Sequence, residues 1–343
     1  MTDSALLEVR DLTVHFKVRA GGMRRSTAVR AVNGVSLDLR SGETLGLVGE
    51  SGSGKSTTAR ALLRLVRPSA GEVRLKGELI SQLSDKEFRR IRKDMQMVFQ
   101  DPYSSLDPSM LVADSVAEPL EVHLGLSGAQ RDRRVAELLG MVGLSSQHGH
   151  RYPHEFSGGQ RQRIAIARAI AVNPEIVLCD EAVSALDVST QNQIINLLED
   201  LRDSLGMSYL FISHDLSVVR HLAHRVVVMY LGQIVESGPV ERLFGSPMHP
   251  YSQALLSAVP IPNPPLQRTK ERILLRGDLP DLRAVPSGCV FRTRCPIATD
   301  HCAAVVPEPV VVAGGGTVAC HFAGPRETAA SARPEPVDAG RET

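Results

Sequence analysis

The sequence has almost no net charge: 39 Lys and Arg stand against 38 Asp and Glu across 343 residues, a formal balance of +1. Nucleic-acid binders usually show a basic field, so nothing here argues for that class. Long apolar runs are missing as well. No eighteen consecutive apolar residues occur, which leaves no segment to span a bilayer. The start Met1-Thr2-Asp3-Ser4-Ala5-Leu6-Leu7-Glu8 has neither the basic head nor the apolar core of a secretory signal. Heptad repeats, and with them a long coiled coil, are absent too. These absences point to the cytosol, where disulfides are rare. Cysteine is scarce, five in all. Cys289, Cys295, Cys302 and Cys320 nevertheless crowd into one C-terminal stretch, while Cys179 reads as small buried packing. The length allows two domains, or one with large additions, around a substantial core.

What is present is organised around Gly49-Glu50-Ser51-Gly52-Ser53-Gly54-Lys55-Ser56-Thr57, which fits G-x-x-x-x-G-K-[ST] without mismatch. Thr44 to Val48 before it is an apolar run of strand type, and Thr57 to Val66 after it has apolar residues at helical spacing. In a strand, loop, helix context the glycines let backbone N–H groups face a phosphate, and the helix start adds its positive dipole end. Lys55 then reaches the β- and γ-phosphates, and the Ser56 hydroxyl is placed to ligate Mg²⁺.

Residues 6–16 and 31–39 alternate as strands, with a basic loop between them (Lys17, Arg19, Arg24, Arg25, Arg30) that reads as a solvated hairpin loop or a binding patch. Phe16, closing the first strand, is either core or a ring that stacks on a base. A strand over 73–80, a charged helix over 85–92 and a strand ending at Gln100 come next. The Pro-containing loop 101–108 follows. Residues 110–143 are helical in pattern, with Ser127 as N-cap of a helix over 130–139. Phe156-Ser157-Gly158-Gly159-Gln160 opens another helix, either as a capping turn or as a second anion site. Ile176 to Asp180, followed by Glu181, is an apolar strand ending in two acids, at the edge where parallel sheets place ligands. One carboxylate there suits Mg²⁺ and the other an attacking water. A further apolar strand, 209–213, ends at His214, and 226–230 with 233–236 reads as a hairpin across Leu231-Gly232. Beyond Gly238 come two short helices around His249-Pro250-Tyr251 and a Pro-rich linker over 260–265. The cysteine segment follows, and then residues 324–343, whose composition reads as disordered.

Taken together, these residues resemble the ATP-binding-cassette (ABC) ATPase family over roughly 6–240. The resemblance implies an α/β P-loop NTPase fold: a RecA-like core, an antiparallel β subdomain and an inserted helical subdomain over about 108–172. By position, Phe16 resembles the adenine-stacking aromatic, and Gly49, Ser51, Gly52, Ser53, Gly54, Lys55, Ser56 and Thr57 the phosphate loop. Gln100 resembles the glutamine that touches Mg²⁺ and opens the loop facing the membrane subunits. Ser157, Gly158, Gly159 and Gln160 resemble the signature, with Phe156 in place of its commoner Leu. Asp180 matches the Mg²⁺-binding acid, Glu181 the catalytic carboxylate, Ser184 to Asp187 the dimer-contact loop and His214 the switch histidine. With no catalytic position degenerate, an active ATPase is expected, built as a head-to-tail dimer in which one chain's signature covers ATP on the other's phosphate loop.

A narrower likeness rests on residues 100–108, residues 181–187, His249-Pro250-Tyr251 and the four cysteines. It is to ATPase subunits of bacterial dipeptide and oligopeptide importers, a layout shared by nickel importers. It implies a second, often non-identical ATPase subunit, two integral-membrane permeases, an extracytoplasmic binding protein and a position on the cytoplasmic face of the membrane. It also implies a C-terminal extension over 241–323. The cysteine spacings lack the tight pairs of zinc ribbons, and some ATPases of this type carry a [4Fe-4S] cluster here, so Cys289, Cys295, Cys302 and Cys320 are its expected ligands. A soluble ABC ATPase acting on nucleic acid or ribosomes is the rival reading. It would carry a long coiled coil or a second phosphate loop, and this sequence has neither. A nucleotide-binding metal-cluster sensor would need a crippled catalytic set.

Overall fold

The structure is a computed structural model that describes residues 5–19, 26–101, 103, 105–260, 268–269, 272–275 and 277–323. Two sheets form its frame. Strands β1 (Leu7–Arg19), β2 (Ser26–Leu39), β4 (Ala70–Leu75) and β5 (Glu78–Leu79) make an antiparallel sheet in the order β2-β1-β4-β5. The second sheet has five parallel strands in the order β9-β3-β8-β7-β6: β9 (Arg225–Tyr230), β3 (Thr44–Val48), β8 (Ser208–Ser213), β7 (Ile176–Asp180) and β6 (Met95–Val98). Strands β3, β7 and β8 are buried at every residue. Their near-continuous apolar runs are therefore those of strands covered on both faces.

Helix α1 (Lys55–Leu62) leaves β3 through the phosphate loop and buries Ala59, Ala61 and Leu62 in the core between the two sheets, where Leu7, Leu12, Leu45 and Leu47 also lie. The opposite face of the parallel sheet is covered by a helical layer. Helices α3 (Val112–Pro119), α4 (Gly128–Met141) and α5 (Gly158–Ile170) bury Val116, Leu138, Leu139 and Ile164, and α6 (Val188–Leu205) adds Ile194 and Leu198. Proline at the end of α3 has no N–H to donate, and the next turn, Leu120–Leu124, widens to a π-helix. Ser127 precedes α4 as expected, but its side chain makes no capping hydrogen bond.

Three expectations change. The basic loop is mostly hairpin, because β1 and β2 stay paired out to Arg19 and Ser26 and so carry Lys17 and Arg30 on strands; Arg24 and Arg25 lie outside the described residues. The strand expected over 73–80 breaks at Lys76-Gly77, where both residues have positive φ, and returns as β5. Nor does strand pairing stop near residue 240. Strand β10 (Gln233–Pro239) pairs antiparallel with β9 across Leu231-Gly232, and β12 (Thr317–Val318) pairs in turn with β10, with β11 (Val310–Val311) beyond it. The late hairpin thus extends the main sheet. Helix α2 (Asp85–Ile91) lies between β5 and β6, and helices α7 (Leu216–Leu222), α8 (Val240–Gly245), α9 (Pro250–Ser257) and α10 (Asp300–Ala304) follow α6. Tyr251, Cys289, Phe291 and Cys302 are buried in the same core as the parallel sheet. The stretch 261–265 and the tail 324–343 lie outside the described residues.

Candidate functional site

The phosphate loop owes its path to residues without side chains. Gly49 has φ 152° and Gly54 φ 103°, and a Cβ at either would be driven into backbone oxygen, that of Met229 or of Ala31. The close approach makes a cradle of the loop, and α1 leaves it from an N-cap, Gly54, with no capping side chain. Its first N–H groups therefore have no side-chain acceptor at the cap, which is the condition for an anion-binding helix start. Lys55 is almost wholly buried. Its Nζ donates to the carbonyl oxygens of Gly49 (2.8 Å) and Glu50 (2.9 Å), and burial holds its pKa below the usual lysine value against the opposing fields of Glu181, Asp180 and Glu50. An ammonium in so little water is a strong electrostatic partner for phosphate oxygens.

Beside it, at the C-terminal end of β7, Ser56 donates its hydroxyl to Asp180 Oδ1 at 2.6 Å. Asp180 Oδ2 is buried without a hydrogen-bond partner, with Arg60 of α1 approaching to 3.8 Å. Burial raises the Asp180 pKa, opposed by Ser56 and Arg60. A hydroxyl and a carboxylate with one oxygen to spare are hard donors of the kind Mg²⁺ takes, so these residues fit the ion together with a nucleotide's phosphates. Arg60 was not anticipated from the sequence; its only signal is a position one turn beyond Ser56 on the same helix.

The next residue, Glu181, has φ 50°. That left-handed turn is tied down at both ends, since its N–H donates to the Ile212 carbonyl at 3.0 Å and its carbonyl accepts from the Ser184 N–H and hydroxyl. The Gln100 amide donates to Glu181 Oε2 at 2.8 Å, and His214 Nδ1 lies 3.2 Å from the same oxygen. Gln100 follows β6, Glu181 follows β7 and His214 follows β8, so three neighbouring parallel strands deliver three polar side chains to one point. A carboxylate so oriented can accept a proton from water, and its neighbours fix which oxygen does so.

The remaining expected site residues lie apart from this point. Ser157 caps α5 and is engaged with its own helix: its Oγ accepts from Gln160 N–H, and Gln160 Oε1 accepts from Ser157 N–H. Gly159 packs against Thr190 of α6. Phe16, on β1 opposite Val29, is 39% exposed and so is not part of the core. Ser51 and Ser53 line the phosphate loop, Ser53 with its hydroxyl 3.4 Å from Lys55 Nζ.

The four clustered cysteines share a neighbourhood. Burial raises the Cys320 thiol to about 11, with further contributions from Cys289, Cys295 and Cys302, and burial raises Cys289 as well. A backbone N–H points at one of the sulfurs, Phe322 at Cys320 (3.4 Å), whereas the Arg292 N–H donates to the Cys289 carbonyl oxygen at 3.1 Å. Among the described residues, however, no three His, Cys, Asp or Glu side chains form a group able to hold a metal ion. Among the described residues the four sulfurs are thus not drawn onto one point.

Comparison with known proteins agrees with the site. The family description "ABC transporter" matches residues 32–184, and "Oligopeptide/dipeptide transporter, C-terminal region" matches residues 235–302. The chain is 50% identical to the oligopeptide transport ATP-binding protein AppF of Bacillus subtilis, over 92% of this chain and 97% of that protein. It is 50% identical to OppF of Salmonella typhimurium (88% and 92%) and 47% identical to the di/tripeptide transport protein DppF of Pseudomonas aeruginosa (93% and 98%). Among solved structures, the dimeric ATP-binding cassette MJ0796 in a post-hydrolysis state with ADP and Pi is 32% identical with a TM-score of 0.61, covering 68% of this chain and 98% of that one. With its phosphate loop, paired acids and orienting glutamine and histidine intact, the chain belongs to the ABC transporter ATPases, within the family of oligopeptide and dipeptide transport ATP-binding proteins.

Proposed function

We propose that this protein is the ATP-hydrolysing subunit that powers import of di- and oligopeptides. It would work through two separate integral-membrane permeases fed by an extracytoplasmic binding protein, and would lie peripherally on the cytoplasmic face of the membrane. The observation that carries the enzymatic part is the convergence of Gln100 and His214 on one oxygen of Glu181, beside Lys55 and Asp180. The transport part is supported by the names of the relatives, each a peptide-transport ATP-binding protein over nearly its whole length. No described helix is long and apolar enough to cross a membrane.

In this reading Phe16 stacks on adenine, while the loop N–H groups from Gly49 to Thr57 and Lys55 bind the phosphates. Mg²⁺ held by Ser56, Asp180 and Gln100 would supply charge neutralisation at the β- and γ-phosphates. Glu181 accepts the proton of the water that attacks the γ-phosphorus as the bond to the bridging oxygen breaks, and His214 and Gln100 hold its carboxylate in place. The signature residues Ser157 to Gln160 act on the nucleotide of a second, homologous cassette subunit, as the dimeric solved relative suggests. Closing and reopening of that dimer would move the permeases through the loop that Gln100 opens.

The four cysteines are, in the same proposal, ligands of a structural or regulatory [4Fe-4S] cluster. The backbone hydrogen bond that joins Cys289 to Cys302 and the Phe322 N–H···S contact at Cys320 support this, since such N–H···S contacts accompany and tune iron–sulfur sites. Anaerobically purified protein should then be brown, and each Cys→Ser change should bleach it while ATP binding persists. A colourless anaerobic preparation with one zinc per chain would refute it.

For transport, the test is reconstitution with the permeases and binding protein. ATP turnover should rise on adding a di- or oligopeptide; a rise with Ni²⁺ and none with peptides would assign the nickel-type layout instead.

A further inference from the structure

The phosphate loop is held from outside as well as inside. Glu50, its second residue, meets Arg294 of the cysteine segment in a two-pronged contact: Nη1 to Oε2 at 2.6 Å and Nη2 to Oε1 at 3.1 Å. The Arg294 side chain is 9% exposed, and its guanidinium reaches Glu50 past the ring of Tyr230, whose centroid is 6.0 Å from it. The Glu50 N–H donates to the Tyr251 hydroxyl at 2.8 Å. Leu279 lies over the loop at Gly52. Tyr251 and Phe291 are buried against Tyr230, with ring centroids 4.7 to 5.4 Å apart, so the two gripping side chains stand on one rigid aromatic cluster.

The consequence follows from peptide geometry. The C=O and N–H of a trans amide point in opposite directions. In the Gly49–Glu50 peptide the carbonyl accepts from Lys55 Nζ and the N–H donates to Tyr251. One plane is thus pinned at one end by the phosphate-binding lysine and at the other by the C-terminal extension. Charge matters too. An unpaired Glu50 carboxylate in the phosphate loop would repel the triphosphate, and Arg294 cancels that charge with the planar fork that suits a carboxylate.

We propose that Arg294 and Tyr251 are positioning residues for ATP: the C-terminal extension acts as a clamp that sets the phosphate loop and neutralises Glu50. The proposal rests on the ATPase reading of the site. It predicts an effect on nucleotide affinity with chemistry spared, because neither residue touches the Glu181 cluster.

The experiment measures MgATP binding by the full-length protein and, separately, its KM and kcat for ATP. Arg294→Ala should weaken binding and raise KM about tenfold, within the usual range for coupling between sites, while kcat changes less than twofold. Glu50→Gln/Arg294→Ala should bring the affinity back to within about threefold of wild type, because the repelling charge goes with its partner. Tyr251→Phe, which keeps the aromatic cluster and loses only the acceptor, should shift affinity in the same direction by a smaller factor. General damage to the fold would not be repaired by a second substitution in the phosphate loop. Wild-type affinity in Arg294→Ala, or a double variant as weak as the single one, overturns the clamp. Absence of turnover in wild type that still binds MgATP would instead count against the ATPase reading, so the two fail separately.

Discussion

Helices α1 and α5 both begin at a glycine- and serine-rich turn, and the two starts are built in opposite ways. At α1 the N-cap is a left-handed glycine with no side chain to offer, and Lys55, Asp180, Glu181, Gln100 and His214 gather around it. At α5 the N-cap is Ser157, whose hydroxyl and N–H are both occupied by Gln160 in a closed capping box, on an exposed turn. The first start is left open for a ligand. The second is self-sufficient, so in the proposed dimer it would need no ligand until another subunit's nucleotide arrives. A third start, α9, shows what capping looks like when no ligand is involved: buried His249 accepts from the Tyr251 N–H through Nδ1.

The largest effect should come from the machinery beside α1. Glu181→Gln should retain ATP binding and lose turnover by about 10²–10⁴-fold, the scale of a positioned general base. Near-normal single-turnover rates would move the base role to His214 and weaken the contrast, leaving Asp180 as the acid that marks the α1 site.

The α9 start predicts a pH dependence. Burial pushes the His249 pKa down to about 3, whereas in an unfolded chain it titrates near 6.5. Between those values the unfolded state binds the extra proton, so this residue's contribution to stability is complete above about pH 6.5 and is lost as pH falls toward 3, by about 1.4 kcal/mol per pH unit. Denaturant unfolding at several pH values checks it. His249→Asn keeps a side-chain cap and should flatten the slope across that window.

A smaller effect separates the two signature glycines. A Cβ at Gly159 would strike Thr190 Cγ2, whereas at Gly158 it would meet only Leu186 at an ordinary 3.6 Å. Gly159→Ala should therefore destabilise by about 1–3 kcal/mol, as overpacking does, and Thr190→Ser should relieve it, while Gly158→Ala should leave the melting temperature nearly unchanged. Equal losses at both positions would mean that the turn, not the packing of α5 on α6, needs the glycines.

The parts legible in the sequence were those where chemistry stands at a fixed distance from a local pattern. The phosphate loop lies between an apolar strand and a helix, and Gln100, Glu181 and His214 each follow an apolar strand. Parallel neighbours bring such ends together, so their meeting at Glu181 Oε2 follows from topology. Contacts between distant segments left no trace. Arg294 and Glu50 are 244 residues apart, and Tyr251 could be recognised in His-Pro-Tyr without any hint that its hydroxyl reaches the phosphate loop. The β11–β12 hairpin was missed because two-residue strands are too short to show alternation, and its pairing with β10 is what carries the main sheet past residue 240. The cysteines were legible as a group, but their spacing does not determine whether their sulfurs close on one point.

The central claim is that Ser157 belongs to the nucleotide site of another subunit and not to the site of its own chain. The most direct test is equilibrium MgATP binding and turnover by the Ser157→Arg variant beside Lys55→Ala. The account predicts that Ser157→Arg binds MgATP within about twofold of wild type yet neither closes into an ATP-dependent dimer nor turns over, while Lys55→Ala loses binding itself. Loss of ATP binding by isolated Ser157→Arg subunits, equal to that of Lys55→Ala, would place both helix starts in one site and contradict it.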